Sequence, residues 1–535
     1  MSYFVSPEFL RVLLLGFITS LHMTWRRLVN QIVPVPYLDE VFHVPQAQAY
    51  WLGKWSHWDA KITTPAGLYV YSYFVNSIRD FFTLDFKPSI NQWRATNVLL
   101  LYILLVALYI LAAISKRSVN HDGILQREFN IVMFPLIFFF SGVYYTDLFS
   151  VFSVVLTHIF WSAGTSATGY TKTSYQALHL VAGLISLASR QTNIFWVAVY
   201  LGGLQVIETV KGQVGPNKVH DPPISEAYFE EFPIFGISIA QYAINVIPQL
   251  LIDLWPQISL IISFAAFILW NGGVVLGDKD NHIATIHLPQ MLYIWPFIVF
   301  FSWPVLLPQL AQLSSFRRRL PRLSTALCFM ILMLGVVKFN TVIHPFTLAD
   351  NRHYTFYVFR ILRQHWLVKY AAVPIYFVCA ALIIGALGGG PGEVRSESEA
   401  AQNRVLYGAD TVHVSFTLVW LIATALSLVS APLVEPRYFI LPWLMWRLAV
   451  PEYMPIPKPD EQQKAVDGNS KDAPQRGSNS PSPSLVQQLL KTVAAYANVL
   501  ELIWYIAINL GTCYIFLYKG FEWPQEPGNI QRFMW

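Results

Sequence analysis

The hydrophobic residues of this 535-residue chain fall in long runs, and the polar residues fall in short segments between them. A helix needs roughly 20 mostly apolar residues to cross a bilayer, so the shorter runs must include flanking residues. The runs lie at about 9–25, 95–114, 131–143, 148–163, 175–189, 194–207, 257–270, 287–308, 323–337, 369–387, 411–430, 437–450 and 488–518. This pattern predicts an all-α polytopic membrane protein with about 12–14 transmembrane helices.

The composition supports the same class. Hydrophobic residues make up 55% of the chain and charged residues 13%, whereas about 25% of residues are charged in soluble domains. The mean hydropathy is +0.44. The 18 tryptophans suit aromatic belts at the two membrane surfaces. The net charge of +5 is small and spread along the chain, so we expect the lipid bilayer, and no nucleic acid, as a partner.

The amphipathic segment 236–255, which Pro248 interrupts, decides whether the number of membrane spans is odd or even. We assign it to the interface or to the helix that follows it. A separate span would place the arginine-rich loop Arg317–Arg322 on the wrong side, since such loops face the cytosol. The Pro- and Ser-rich segment 456–484 is then predicted to be a disordered cytosolic linker. It separates a transmembrane domain at 1–455 from a last transmembrane helix and tail at 485–535.

The same topology gathers six polar motifs on the side opposite the arginine-rich loop. Independent solvated turns would show no such sidedness, so we expect these motifs to form one site. They are Asp39–Glu40, Tyr144–Asp147, Arg190–Asn193, Gly277–His282, Ala349–Tyr354 and Glu435–Tyr438.

The first of these motifs opens the loop at 37–94 and combines acids with aromatic residues. Carboxylates such as Asp39 and Glu40 can act as general bases. Trp51, Trp55 and Trp58 have spacings of four and three and are predicted to line one helical face. Tryptophans stack on sugars or anchor at membrane surfaces, so this loop is a candidate for catalysis on a lipid-borne sugar. The alternative is an interfacial loop without chemistry.

Several long motifs carry a family resemblance: YLDEVFHVPQAQAYWLGKWSHWDAKITTPAGLY (37–69), RQTNIFWV (190–197), GGVVLGDKDNH (272–282), HPFTLADNRHYTFYVFR (344–360) and LVEPRYFILP (433–442). Together they resemble the dolichyl-phosphate-glucose-dependent alpha-1,2-glucosyltransferase family of the endoplasmic reticulum. That family adds the terminal glucose to the lipid-linked N-glycan precursor. The resemblance covers essentially the whole chain, apart from the linker and the segment 388–404.

The resemblance implies a GT-C-type fold with its active site at the lumenal membrane surface and a catalytic carboxylate in the first lumenal loop. It implies dolichyl-phosphate-glucose as donor and a dolichyl-diphosphate-linked, diglucosylated oligosaccharide as acceptor. The donor glucose is beta-linked and the product alpha-linked, so the transfer inverts the anomeric carbon. A single displacement needs one general base and stabilisation of the departing phosphate.

The matching motifs place these roles on particular residues. Asp39 is the preferred base and Glu40 the alternative. Arg352 and His353 are the first candidates for binding the donor phosphate, because arginine can form two parallel bonds to phosphate. The further donor candidates are Tyr354, Arg190, Arg437, Lys338 and His344. Two structural alternatives stay open: Arg437 pairing with Glu435, and Arg190 extending from a helix end to the membrane surface.

The acceptor candidates are His43, Trp55, Trp58, Asp59, Asp278 and His282. Asp278, Asp280 and His282 alternate as in a metal site, but Lys279 interrupts them and no third carboxylate is close in sequence. We therefore expect neither a metal nor another cofactor.

Two other functions compete with this prediction. One is a related lumenal glycosyltransferase that uses another dolichyl-phosphate sugar. The other is a transporter or channel subunit, which would carry charges inside its spans. Here the acids cluster in loops, and the internal repeat found in many transporters is not visible in the sequence. Both observations disfavour the transporter.

Overall fold

The structure is a computed structural model that describes residues 7–83, 87–115, 121–277, 279, 285–310, 320–341, 349–388, 412–431, 433–451, 493 and 496–535. Its first helices are α1 (Pro7–Ile32), α2 (Glu40–Trp51), α3 (Gly67–Thr83), α4 (Ile90–Ile114), α5 (His121–Met133), α6 (Pro135–Ser141), α7 (Asp147–Thr165), α8 (Gly169–Leu187) and α9 (Leu201–Val214). A 3₁₀ turn at Gln191–Asn193 and a π-helix at Phe195–Tyr200 lead into α9.

The second half continues with α10 (Glu231–Asn245), α11 (Ile247–Asn271), α12 (Gln290–Leu310), α13 (Leu323–Phe339), α14 (Tyr354–Leu362), α15 (Trp366–Leu387), α16 (Val414–Val429), α17 (Ile440–Ala449) and α18 (Ala497–Tyr518). A 3₁₀ turn at Pro436–Phe439 precedes α17. The chain then forms an antiparallel hairpin of β1 (Phe521–Trp523) and β2 (Glu526–Gln531).

Within the described residues, seven helical segments are long and apolar enough to cross a membrane. They are α4, α7, the run Gln191–Val214, α11, α12, α15 and α18. The shorter helices α13 and α16 are also apolar. The prediction of an all-α polytopic membrane protein is confirmed.

Two segments, 131–143 and 236–255, are each divided between two helices, which the sequence did not predict. The run 131–143 is divided between α5 and α6, because Pro135 begins a new helix at its first position. Every residue of α6 is buried, so this apolar run faces protein on all sides. The segment 236–255 is also divided, at Val246: its second half joins α11 as expected, but its first half belongs to the separate 15-residue helix α10.

Large aromatic residues fill the core between the helices. Phe134 stacks on Trp443 with ring centroids 3.6 Å apart. A fully buried ion pair of 2.9 Å between Arg447 and Glu501 joins α17 to α18. These contacts fix the C-terminal helix against the helices that carry the polar motifs.

Polar residues mark both ends of the helical bundle. The run Gln191–Val214 has Arg190 before its first residue and Lys211, which pairs with Asp221, in its last turn. Helix α16 likewise begins beside Asp221, through a hydrogen bond from the Ser415 N–H group, and leads at its other end to the Pro436–Phe439 turn. Arg190 and the Pro436–Phe439 turn therefore lie at one end of the bundle, opposite Lys211 and Asp221.

Candidate active site

Asp39 lies at the start of α2, in contact with two other motifs. Its Oδ2 atom accepts a hydrogen bond from Arg437 Nη1 at 2.8 Å, and Arg437 Nε donates to Glu435. Its backbone N–H donates to the Tyr145 hydroxyl at 3.1 Å. The Asp39 side chain is 39% exposed, and no hydrogen bond reaches Oδ1 from the described residues. An arginine thus orients one oxygen of this carboxylate, while the other has no hydrogen bond from the described residues.

Glu40 is the opposite case. Its carboxylate is fully buried and accepts hydrogen bonds from Arg94 Nε at 2.8 Å and Nη2 at 2.6 Å. The backbone N–H groups of Tyr144 and Tyr37 also donate to it, at 2.7 and 3.1 Å. Four donors hold Glu40 between α2, α4 and the loop before α7. This carboxylate organises the loop and has no access to a substrate hydroxyl in this structure.

The charges around Asp39 keep it ionised. Burial by itself raises the pKa of Asp39, but Arg437, His43 and His353 outweigh that effect and hold it below the ordinary value of 3.8. Burial lowers the pKa of His43 more than the Asp39 carboxylate raises it. Its Nδ1 atom lies 2.6 Å from the Tyr69 hydroxyl.

Two cavities meet at Asp39 and Arg437, which line both of them. The larger, of about 1130 Å³, is bordered by the β1–β2 hairpin, and we call it the hairpin cavity. The smaller, of about 710 Å³, we call the basic cavity, because its described lining includes the four cations Lys61, Arg190, Lys279 and Arg437.

The basic cavity combines positive charge with an apolar wall. Only two carboxylates, Asp39 and Asp147, face its four cations among the described lining residues. Arg190 Nη2 pairs with Asp147 at 3.0 Å, while its buried Nε atom has no hydrogen-bond partner among the described residues. Helices α7, α11 and α16 contribute lining residues, including Phe264, so the cavity extends along membrane-spanning helices. This arrangement suits an anionic headgroup on an apolar chain.

The hairpin cavity has more carboxylates than arginines. Its described lining contains Asp39, Asp350, Glu435 and Glu526 beside Arg352, Arg437 and Arg532. Arg352 already donates to Asp350 at 2.8 and 2.7 Å and to Gln531 at 3.0 Å. Its guanidinium also lies 4.5 Å from the Trp523 ring centroid. Arg352 therefore ties the 350–354 loop to the hairpin.

A family comparison agrees with these motifs. The model of the DIE2/ALG10 family matches residues 33–448. The chain belongs to the DIE2/ALG10 family. A protein of Aspergillus fumigatus named Dol-P-Glc:Glc(2)Man(9)GlcNAc(2)-PP-Dol alpha-1,2-glucosyltransferase is 40% identical to it, and the alignment covers 97% of each chain. Proteins of the same name from Emericella nidulans and Mus musculus are 37% and 30% identical, over 96% and 94% of this chain.

In this DIE2/ALG10 chain the predicted convergence of the polar motifs is confirmed. Asp39, Asp147, Arg190 and Arg437 line the basic cavity together with His43. Asp350, Arg352 and His353 line the hairpin cavity together with Asp39, and His353 Nδ1 is 3.1 Å from the Trp535 carbonyl oxygen. The Tyr354 ring packs on Trp535 at 4.9 Å.

The predicted tryptophan face is wrong. Helix α2 ends at Trp51, and Gly53, with a φ of 76°, turns the chain away from a helical path. Trp55 instead packs against Tyr50 and Tyr73 with centroid distances of 5.0 and 4.9 Å.

Several other predicted site residues do not line either cavity. Trp58 donates to the Ile62 carbonyl at 3.3 Å, and the Asp59 carboxylate accepts from the Lys61 N–H group at 2.9 Å, so both shape the loop after α2. Lys338 is exposed near the end of α13. Asp278, His282 and His344 lie outside the described residues.

The sequence did not single out some residues that build the site. Arg94, which holds Glu40, is an isolated arginine in an apolar helix, and that position is itself a signal of a buried ion pair. Lys61 follows the tryptophan motif without a distinguishing pattern. The hairpin at 521–531 has a local turn signal in Pro524–Gly528, but no pattern indicates that it packs beside Asp39.

Proposed function

We propose that this protein transfers glucose from dolichyl-phosphate-glucose to the diglucosylated lipid-linked oligosaccharide, in alpha-1,2 linkage and with inversion. The observation that carries the proposal is the partly exposed carboxylate of Asp39, which is the only carboxylate among the described residues that line both cavities. One cavity is basic and bordered by spanning helices, and the described lining of the other contains four carboxylates and three arginines. The relatives from Aspergillus fumigatus and Mus musculus are named for this donor and this acceptor.

Asp39 serves as the general base. Its Oδ1 atom takes the proton from the acceptor hydroxyl as that oxygen attacks C1 of the donor glucose. The bond between C1 and the phosphate oxygen breaks on the opposite face, so the phosphate leaves with the bonding electrons and the configuration inverts. A positioned base contributes roughly 10²–10⁴-fold to such a step. Arg437 orients the carboxylate through Oδ2.

The donor phosphate binds in the basic cavity, to Arg190 and Arg437. This assignment differs from the first sequence candidate, Arg352. The guanidinium of Arg352 is engaged with Asp350, Gln531 and Trp523, whereas Arg190 has an unpartnered buried Nε within the described structure. A phosphate would satisfy that N–H group and balance the excess of cations.

The acceptor sugars occupy the hairpin cavity, whose balance of charge suits neutral hydroxyl groups. We place the reaction on the lumenal face of the endoplasmic reticulum membrane, within a GT-C-type fold. A single N-glycosylation acceptor inserted beside Asn351 tests this placement, because the native sequence has no Asn-x-Ser/Thr site. Modification there is expected. Modification only of an acceptor inserted beside Arg319 contradicts the lumenal placement.

The decisive experiment is transfer by the purified protein in lipid nanodiscs. Dolichyl-phosphate-glucose and the Glc(2)Man(9)GlcNAc(2)-PP-Dol acceptor should give a product one hexose larger, with the new linkage alpha-1,2 by digestion and methylation analysis. Dolichyl-phosphate-mannose should not replace the donor. Equal turnover with the mannosyl donor, or none with the glucosyl donor, contradicts the proposed function.

A further inference from the structure

The segment 521–535 lies outside the part of the chain that the family model matches, which ends at residue 448. It nevertheless supplies nine of the 30 residues that line the hairpin cavity. Among them are Trp523, Glu526, Asn529 and Gln531. This segment is therefore a wall of the site, directly beside the catalytic machinery proposed above.

The wall is anchored at its base. Arg532 Nη1 donates to the carbonyl oxygens of Phe516 and Leu517 at 2.9 and 2.7 Å. Its backbone N–H donates to the Tyr37 hydroxyl at 2.6 Å. Tyr37 lies two residues before Asp39, so these bonds hold the end of the hairpin beside the start of the catalytic loop.

The last residues are fixed to the loop at 350–354. The Met534 N–H group donates to the Arg352 carbonyl at 2.9 Å, and the Tyr354 N–H group donates to the Met534 carbonyl at 3.3 Å. Met534 is only 2% exposed, and its sulfur accepts from the Tyr145 hydroxyl at 3.9 Å. That hydroxyl also accepts from the Asp39 N–H group. The wall thus has a defined position relative to the base.

The chemistry of the hairpin matches a neutral sugar and disfavours a phosphate. Its sequence FEWPQEPGNIQ has two glutamates and neither lysine nor arginine. Glu526 and Asn529 are exposed and line the cavity. The Glu526 carboxylate accepts a hydrogen bond from Gln531 Nε2 at 2.9 Å and has further lone pairs for a hydroxyl group, and the Asn529 amide can both donate and accept. A lipid phosphate at this wall would meet like charge.

We propose that Glu526 and Asn529 bind hydroxyl groups of the glucose-capped end of the acceptor oligosaccharide, so that the hairpin determines acceptor specificity. This inference rests on the proposed function for the identity of the sugar. It assigns a binding role to a segment beyond the matched family region.

The test compares Glu526→Ala and Asn529→Ala with a matched control on the same hairpin. Glu522→Ala removes the same charge from β1, but Glu522 is exposed and does not line the cavity. Loss of a hydrogen bond to a charged group corresponds to a roughly tenfold or larger rise in the Michaelis constant. We expect that rise for the acceptor with Glu526→Ala and a smaller one with Asn529→Ala. The Michaelis constant for dolichyl-phosphate-glucose and the thermal midpoint should stay near their wild-type values.

A binding measurement separates this inference from the proposed function. Saturation-transfer NMR with the soluble oligosaccharide Glc(2)Man(9)GlcNAc(2), freed of its lipid, does not require transfer. Signals from the glucose residues should appear with wild type and Glu522→Ala and weaken with Glu526→Ala. A further outcome is that wild type shows these glycan signals, weakened by Glu526→Ala, and yet transfers no glucose. In that case the proposed function is wrong, and the assignment of glycan binding to the hairpin is retained. The hairpin does not bind the acceptor if Glu526→Ala and Asn529→Ala have the same Michaelis constant for the acceptor and the same glycan binding as Glu522→Ala. The same conclusion follows if only the Michaelis constant for dolichyl-phosphate-glucose rises.

Discussion

Changing each of the two adjacent acids to its amide separates catalysis from structure. In Asp39→Asn the side-chain oxygen can still accept the 2.8 Å hydrogen bond from Arg437, but it cannot take up a proton. Loss of a general base lowers the rate by roughly 10²–10⁴-fold, which corresponds to about 2.7–5.4 kcal/mol in the activation barrier. Because the Asp39 side chain is 39% exposed, we expect the fold to remain intact.

Glu40→Gln has the opposite expected result. It leaves the Arg94 guanidinium, which is fully buried, without its counter-charge. Breaking a buried ion pair costs about 3–5 kcal/mol of unfolding free energy. We therefore expect a clearly lower thermal midpoint, with residual activity in the fraction of protein that stays folded.

Both variants are measured in nanodiscs, by product formation under single-turnover conditions and by thermal unfolding of the same samples. Binding of dolichyl-phosphate-glucose serves as the control for an intact site, and Asp39→Asn should retain it. The reasoning is refuted if Asp39→Asn turns over near the wild-type rate while Glu40→Gln is inactive and as stable as wild type. That result would move the base to Glu40.

Three further predictions follow from the two cavities. Arg190→Lys should raise the Michaelis constant for dolichyl-phosphate-glucose by about tenfold, because lysine cannot form paired bonds to phosphate; a larger rise with Arg352→Lys would return the phosphate to the 350–354 loop. In a pH profile of the rate, wild-type activity should fall only below the ordinary aspartate pKa of 3.8, because the pKa of Asp39 is lowered and the base is lost only as Asp39 becomes protonated. Arg437→Ala should shift that acidic limb to higher pH, because burial then raises the pKa of Asp39 without the opposing charge; an unchanged limb contradicts this electrostatic role. Transfer should persist in excess EDTA, since the described residues contain no group of three metal-ligating side chains; activity lost with EDTA and restored by Mg²⁺ or Mn²⁺ contradicts it.

The sequence was sufficient to predict the class of fold and the end of the bundle where the polar motifs meet. Both depend on signals that are local and strong: apolar runs of spanning length and charged loops between them. The ion pair between Asp39 and Arg437 joins residues 398 positions apart. The sequence could therefore predict that each residue belongs to the site, but it could not predict that the two are in contact.

Other features depend on contacts or breaks that composition does not reveal. Trp51, Trp55 and Trp58 have helical spacing, but α2 ends at Trp51 and Gly53 turns the chain, so the three tryptophans do not share a helix. The run 131–143 is as apolar as a span, yet Pro135 divides it and protein covers it. The hairpin reaches the site through bonds such as that between Tyr37 and Arg532, 495 positions apart, for which no local pattern exists.

The position of Arg437 links the two halves of the proposed reaction. At rest its guanidinium pairs with Asp39 and Glu435, and its charge holds the pKa of Asp39 low against the effect of burial. Arg437 also borders the basic cavity. In the reaction that we propose, the departing phosphate lies there and gains negative charge as its bond to glucose breaks. The new negative charge interacts with the same guanidinium and offsets the effect of that guanidinium on Asp39. The pKa of Asp39 therefore rises, and the carboxylate becomes more basic as it takes up the acceptor proton. An interaction that strengthens only as charge develops accelerates the chemical step and not merely substrate binding. A carboxylate placed in one cavity alone could not be coupled in this way to the leaving group in the other.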